Sequence, residues 1–244
     1  MIPDSYFDSF QTAKYRAHNP LQRVLIRRFM AKLGEMFDAA QPSDSVLEIG
    51  CGEGFVAGQL SARQSGEVYV GVDLNGADLE NLSAKFPAVE ARQGSIYDLS
   101  FLGREFDVVV CAEVMEHLDD PGAALEQIVA RRPRWIILSV PHEPWFCLSN
   151  FARGKNISRF GNDPEHVNLW GRRGFRKVLD SWWRGTRLPI RGNSSWRGRG
   201  DDPSALGASQ ARRDDLSRGA VRARERLAGR RRHRAWCHAL CRAA

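Results

Sequence analysis

VLEIGCGEG (46–54), with VYVGVD (68–73) after it, decides the fold. Val46, Leu47 and Ile49 give a β-branched, apolar run, the mark of a strand covered on both faces. Gly50, Gly52 and Gly54 then allow a sharp turn and a close approach of backbone to a ligand, where a Cβ would collide. A helix is expected from Phe55, so its free N–H groups and positive dipole end face the same turn. The second strand closes on Asp73, where a carboxylate can take both hydroxyls of a ribose. Strand, glycine turn, helix start and acid together form a place for an adenosine-bearing ligand at the edge of an α/β sheet.

The spacing is G-x-G-x-G with Glu48 before it, not the G-x-G-x-x-G that a dinucleotide pyrophosphate requires, so a nicotinamide cofactor is the weaker reading. Three later stretches follow in order: ARQGSIYDL (91–99), FDVVVCAEVMEHLDDP (106–121) and RWIILSVP (134–141). With the first two, they resemble the successive motifs of the class I S-adenosylmethionine-dependent methyltransferases, of the ubiquinone- and menaquinone-pathway kind, over roughly 44–183. The resemblance implies S-adenosylmethionine as cofactor, its methionine part in the glycine turn and its ribose on Asp73. It implies a cofactor site made of Glu48, Gly50, Cys51, Gly52, Gly54, Asp73, Leu74, Ser95, Ile96 and Glu113. Many members carry an acid after the third-motif glycine; here that position is Ser95, so adenine would rely on backbone groups of Ser95 and Ile96, or on Asp98.

The fold expected is a Rossmann-like, doubly wound α/β sheet, mainly parallel, with helices on both faces. Strands are expected near 45–50, 68–73, 88–92, 106–112 and 134–140, and ligands bind beyond their carboxyl ends. Residues 1–40 read as an N-terminal helical cap: Asn19-Pro20 is a helix start, and Leu21, Leu25, Phe29, Leu33 and Phe37 recur at helical spacing. The methyltransferase domain is expected over 41–183, with a lid at 141–170. In that lid Trp145, Phe146, Phe151 and Phe160 either wall an apolar substrate or pack a short helix on the core. Arg153, Lys155 and Arg159 can meet an anionic group or make peripheral contact with a membrane surface.

The net charge of +7 suggests nucleic acid until it is divided along the chain. Residues 184–244 hold 16 arginines, no lysine and five acids, a net of +11, so the 20 basic and 24 acidic residues before them net −4. The basic balance belongs to the tail alone. Only nine of those 61 residues are Ile, Leu, Val or Trp, with no Phe, Met or Tyr, the composition of disorder. The two antiparallel strands that close such a sheet are therefore expected to be missing, and a reading-frame change or recent replacement accounts for the abrupt shift. His233, Cys237, His238 and Cys241 have zinc-like helical spacing but lie in low-complexity sequence, where coincidence is the simpler account. The five scattered cysteines read as reduced thiols, and no run reaches the ~18 apolar residues of a membrane span, so a cytoplasmic protein is expected. Nothing in the sequence fixes an oligomeric state.

Methyl transfer from a sulfonium needs alignment, exclusion of water and, for a hydroxyl acceptor, a route for the proton. The candidate acid–base groups are His117, Glu113 and His142. Glu113, Glu116 and His117 form E-x-x-E-H, which on a helix shares one face. With His166 this resembles two groups that use a divalent metal for oxygen acceptors, the ubiquinone-pathway O-methyltransferases and the small-RNA terminal 2′-O-methyltransferases. A histidine base without metal is taken first, with no metal ligands assigned, because a helix start favours acids by its dipole alone. The function expected is methyl transfer to a small molecule, aromatic or lipid-linked. Nucleic acid is not the expected partner, since the tail lacks interleaved aromatics for stacking. The alternatives are a scaffold with lost or altered activity and an RNA-directed methyltransferase anchored by the basic tail.

Overall fold

A computed structural model describes residues 2–16, 19–141, 166–186 and 236–242, with residues 172, 181–186 and 236–242 as backbone only. His142, most of the expected lid and residues 187–235 lie outside the described residues. Six strands, β1 Ser45–Ile49, β2 Val68–Asp73, β3 Val89–Gln93, β4 Val108–Ala112, β5 Trp135–Pro141 and β6 Trp236–Arg242, form one sheet in the order β3-β2-β1-β4-β5-β6. Every pairing is parallel. The order reverses direction between β1 and β4, and the crevice beyond the carboxyl ends at that switch point is where ligands of such sheets bind.

Helices cover both faces. On one, α3 Pro20–Ala39 lays Ile26, Phe29, Met30, Leu33 and Phe37 over Val46, Val108, Val110 and Ile137, joined by Phe7, Phe10 and Phe55. On the other, Leu125 and Ile128 of α6 Pro121–Ala130 and Phe175 and Leu179 of α7 Arg172–Thr186 pack on Leu47, Val109, Ile136 and Leu138. Alternate residues of each central strand thus enter different cores, which is why their sequence is apolar throughout. The short α4 Ala57–Leu60 follows the glycine turn, and α5 Gly76–Lys85 follows β2.

The α3 start is as expected: the Asn19 side chain accepts from the amides of Leu21 and Gln22, with Pro20 at the first helical position. Its apolar stripe is displaced, however. Leu21 is 61% exposed, whereas Arg23 is buried, because two short helices, α1 Asp4–Asp8 and α2 Ala13–Arg16, precede α3 and α1 supplies Asp4 and Asp8 to pair with Arg23.

The tail departs from expectation at one place. Trp236–Arg242 is a strand, running beside β5 from Trp135 opposite Trp236 to Pro141 opposite Arg242. The outer backbone groups of β5 would otherwise have no ladder partner, and WCHALCR is rich enough in apolar residues to supply one. The helical spacing proposed for Cys237, His238 and Cys241 therefore does not hold on this extended backbone. The antiparallel closing pair is not found among the described residues, and the expected domain boundary near 184 falls inside α7.

Candidate active site

After Ile49 the backbone reverses through Gly50, Gly52 and Gly54, with φ of 72°, 49° and 88°. The Gly50 and Cys51 amides both donate to the Val72 carbonyl, at 2.8 and 3.2 Å, so the turn rests on the end of β2. A Cβ on Gly50 would lie 2.2 Å from Val114 Cγ2, whereas one on Gly52 would meet nothing within 4 Å. Gly52 therefore presents bare backbone to open space at the crevice. Its amide donates to Asp73 Oδ2 at 2.8 Å, and Oδ1 of the same carboxylate accepts from the Asn75 amide at 3.0 Å. A carboxylate has about four acceptor positions, so lone pairs remain for two ribose hydroxyls. Leu74, 70% exposed, follows as an apolar surface beside them.

Glu48 lies behind the turn. It is 2% exposed and its carboxyl meets the Tyr69 hydroxyl. Burial pushes its pKa up to about 8, with the Asp73 charge adding to the rise and the Tyr69 hydrogen bond opposing it. Burial likewise pushes the Cys51 thiol well up, so this cysteine is no nucleophile at neutral pH. In the third loop Ser95 Oγ accepts from the Tyr97 amide at 3.2 Å, and Ile96 is buried. Asp98 turns to its own loop, accepting from the Ser100 amide at 2.9 Å, and hydrogen bonding to Ser100 holds its pKa low.

The fourth motif corrects the helix expected there. β4 stops at Ala112, and Glu113 takes φ 59°, a left-handed conformation that a non-glycine residue holds only at a cost of about 1–3 kcal/mol. The Glu113 amide donates to the Ser139 carbonyl at 3.0 Å, and Ser139 Oγ donates to its Oε1 at 3.3 Å. Met115–His117 is a single 3-10 turn, so Glu113 does not share a helix face with Glu116 and His117, and no helix dipole accounts for these acids.

Residues 166–170 lie against this turn. The Asn168 amide donates to the Glu116 carbonyl at 2.9 Å and its side-chain amide to the Leu118 carbonyl. His166 is thereby brought to His117, ring centroids 4.9 Å apart, and Glu116 Oε1 lies 3.9 Å from His117 Nε2. One ligand atom from each of Glu116, His117 and His166 falls within 4.8 Å of the others. A carboxylate and two imidazoles suit a divalent transition ion. Two residues of the site escaped the sequence reading, Ser139 and Glu53. Ser139 is hidden in an apolar strand, and Glu53 carries no periodic signal because its partners lie 41 and 42 residues upstream.

The family profile of the methyltransferase domain matches residues 18–181, more than half of the chain. The chain belongs to this family. Among relatives of this methyltransferase domain, a probable S-adenosylmethionine-dependent methyltransferase of Mycolicibacterium smegmatis is 40% identical over 105 residues, 41% of this chain and 39% of that protein. The ubiquinone biosynthesis O-methyltransferase of Hahella chejuensis is 36% identical over 93 residues, 36% of this chain and 38% of its own length. The chain thus spans well under half the length of these two relatives. The plantazolicin methyltransferase BpumL, solved with a pentazolic desmethylPZN analog and SAH, superposes with a TM-score of 0.52 at 15% identity, covering 68% of this chain and 71% of that one. The methyltransferase domain of bacterial CtHen1-C gives 0.50 at 22% identity, covering 66% and 84%. These likenesses establish the Rossmann-like methyltransferase fold, and S-adenosylmethionine is the cofactor of the class I family.

Proposed function

We propose that the protein transfers a methyl group from S-adenosylmethionine to a small-molecule acceptor, at oxygen. The observation that carries the cofactor half is the pairing of Gly52 with Asp73: one open backbone position and one carboxylate with spare lone pairs, side by side at the switch point. Asp73 would hold the ribose hydroxyls, with the Gly52 backbone against the methionine part and Leu74 beside the adenine. Glu113, fixed by Ser139, stands at the end of β4, the strand next to β1 across the switch point. In the absence of an ion, His117, its side chain 39% exposed, would accept the proton of an acceptor hydroxyl as the methyl is transferred. Names of relatives that include ubiquinone biosynthesis O-methyltransferases support oxygen as acceptor atom.

The gathering of Glu116, His117 and His166 favours a cation-assisted form of this reaction over a histidine base alone. These three residues would hold a divalent ion and leave coordination positions for the acceptor, as catalytic sites do. Such an ion would lower the pKa of the acceptor hydroxyl when bound. Among the described residues no helix is long and apolar enough to cross a membrane. The test is methyl-labelled S-adenosylmethionine with a metabolite extract, with and without EDTA. Labelled product that disappears with chelator and returns with Mn²⁺, Mg²⁺ or Zn²⁺ is expected. Product formed equally in EDTA removes the ion and returns His117 to the role of base; no labelled product from any fraction contradicts the proposal.

A further inference from the structure

We infer that Glu53 is a positioning residue that latches the N-terminal strap, residues 2–16, onto the cofactor turn, so that strap closure and cofactor binding are coupled. The inference rests on the cofactor reading above. Glu53 stands between Gly52 and Gly54, both at positive φ. Glycine has little steric preference of its own, so a turn built of three glycines needs side-chain anchors to stay in one conformation. Asp73 grips this turn from one side through the Gly52 amide. Glu53 grips it from the other.

The Glu53 carboxylate is 4% exposed, yet it accepts from the Gln11 amide at 2.7 Å, from the Thr12 amide and hydroxyl, and from Lys85 Nζ at 3.1 Å. Burial alone would raise its pKa; these donors outweigh burial and hold it at about 2. The group is therefore charged at neutral pH, and its hydrogen bonds are of the strong, charge-assisted kind. Other strap contacts converge on the same turn. The Tyr6 hydroxyl donates to the Phe55 carbonyl at 2.8 Å, and the Tyr15 ring stacks on Phe55 with centroids 3.8 Å apart and planes 1° from parallel. Lys85, after reaching Glu53, also lies 4.4 Å from the Phe10 ring centroid.

The strap is thus tied at two places. Asp4 and Asp8 fix its first helix to Arg23 of α3, and residues 10–15 end on residues 53–55 of the turn. Breaking the second tie leaves the first, which is how a strap opens without being lost. Because coupling is reciprocal, a cofactor that requires the ordered turn must also tighten the strap, by the same factor that the strap strengthens its binding.

Glu53→Gln tests this. It keeps the side-chain volume, removes the charge and places an NH₂ group among four donors. Thr12→Val, on the strap side, removes one donor without altering the turn. Amide exchange is followed over the whole chain, and S-adenosylhomocysteine binding is measured by calorimetry. In the wild type, bound S-adenosylhomocysteine slows exchange at Gln11 and Thr12. In Glu53→Gln these amides exchange faster while β1 and β4 keep their protection, and the dissociation constant rises about tenfold, a change of ~1.4 kcal/mol. Thr12→Val shifts both readouts the same way by less. Unchanged strap exchange in Glu53→Gln, or faster exchange with unchanged affinity, overturns the latch. A wild type that binds no S-adenosylhomocysteine contradicts the cofactor reading and takes the coupling with it; normal wild-type binding with unaltered Glu53→Gln binding overturns the latch alone.

Discussion

The Asp73 carboxylate receives the Gly52 amide at 2.8 Å, so the acid assigned to the ribose also holds the turn assigned to the methionine part. On that assignment one side chain would serve both halves of the cofactor. Asp73→Ala removes the carboxylate and is expected to weaken S-adenosylhomocysteine binding by about 1.5–3 kcal/mol, the range for losing charge-assisted hydrogen bonds. Asp73→Asn keeps one acceptor oxygen and should lose less. Calorimetry that finds the same affinity in all three proteins removes Asp73 from the site.

Gly50 and Gly52 should respond differently to the same methyl group. Gly50→Ala drives a Cβ to 2.2 Å from Val114 on a backbone at φ 72°, and should cost stability by about 1–3 kcal/mol for overpacking in addition to the left-handed penalty of about 1–2 kcal/mol. Gly52→Ala meets no protein atom and bears only the left-handed backbone penalty, about 1–2 kcal/mol. If the methionine part lies against Gly52, as proposed, the added Cβ meets it, so the binding loss should exceed the stability loss. Urea unfolding and calorimetry on both variants measure the two quantities; Gly52→Ala with wild-type affinity would place the cofactor elsewhere.

Glu48 makes stability depend on pH. Its folded pKa of about 8 lies above the ordinary 4.5, so the folded state binds more protons than the unfolded state between these values. The contribution is fully present below about pH 4.5 and is lost as pH rises through about 8. Glu48→Gln mimics the neutral acid and should flatten that decline. Denaturant unfolding at pH 5, 7 and 9 checks it: the variant gains on the wild type as pH rises. A constant difference across the range would mean that Glu48 is ionised throughout.

The glycine turn and the acid after it are legible because each joins a local pattern to a local geometry. Val46 to Gly54 needs no distant partner to read as strand and turn, and Asp73 follows from where the next apolar run ends. What escaped depends on contacts remote in sequence. Glu53 looks like a spacer between two glycines until Gln11 and Thr12 are seen against it. The E-x-x-E-H string has helical spacing, but the left-handed Glu113, fixed by Ser139 on β5, ends any helix there. Trp236–Arg242 is a strand despite a tail of low apolar content, because such content argues for disorder only when no open strand edge waits nearby.

That edge pairing is open to test. Leu240→Pro removes a ladder donor from the middle of β6 and should disrupt its pairing with β5. Amides of β5 that face β6 should then exchange faster, while those facing β4 stay protected. Equal exchange in variant and wild type would mean that β6 does not cover β5.

The glycine turn and Asp73 are proposed to bind S-adenosylmethionine and not a dinucleotide. Titration calorimetry of the wild-type protein with S-adenosylhomocysteine and, separately, with NAD⁺ addresses this most directly. Saturable one-to-one binding of S-adenosylhomocysteine, weakened by Asp73→Ala, and no heat of binding with NAD⁺ are expected. Saturable NAD⁺ binding with none for S-adenosylhomocysteine would contradict the proposal.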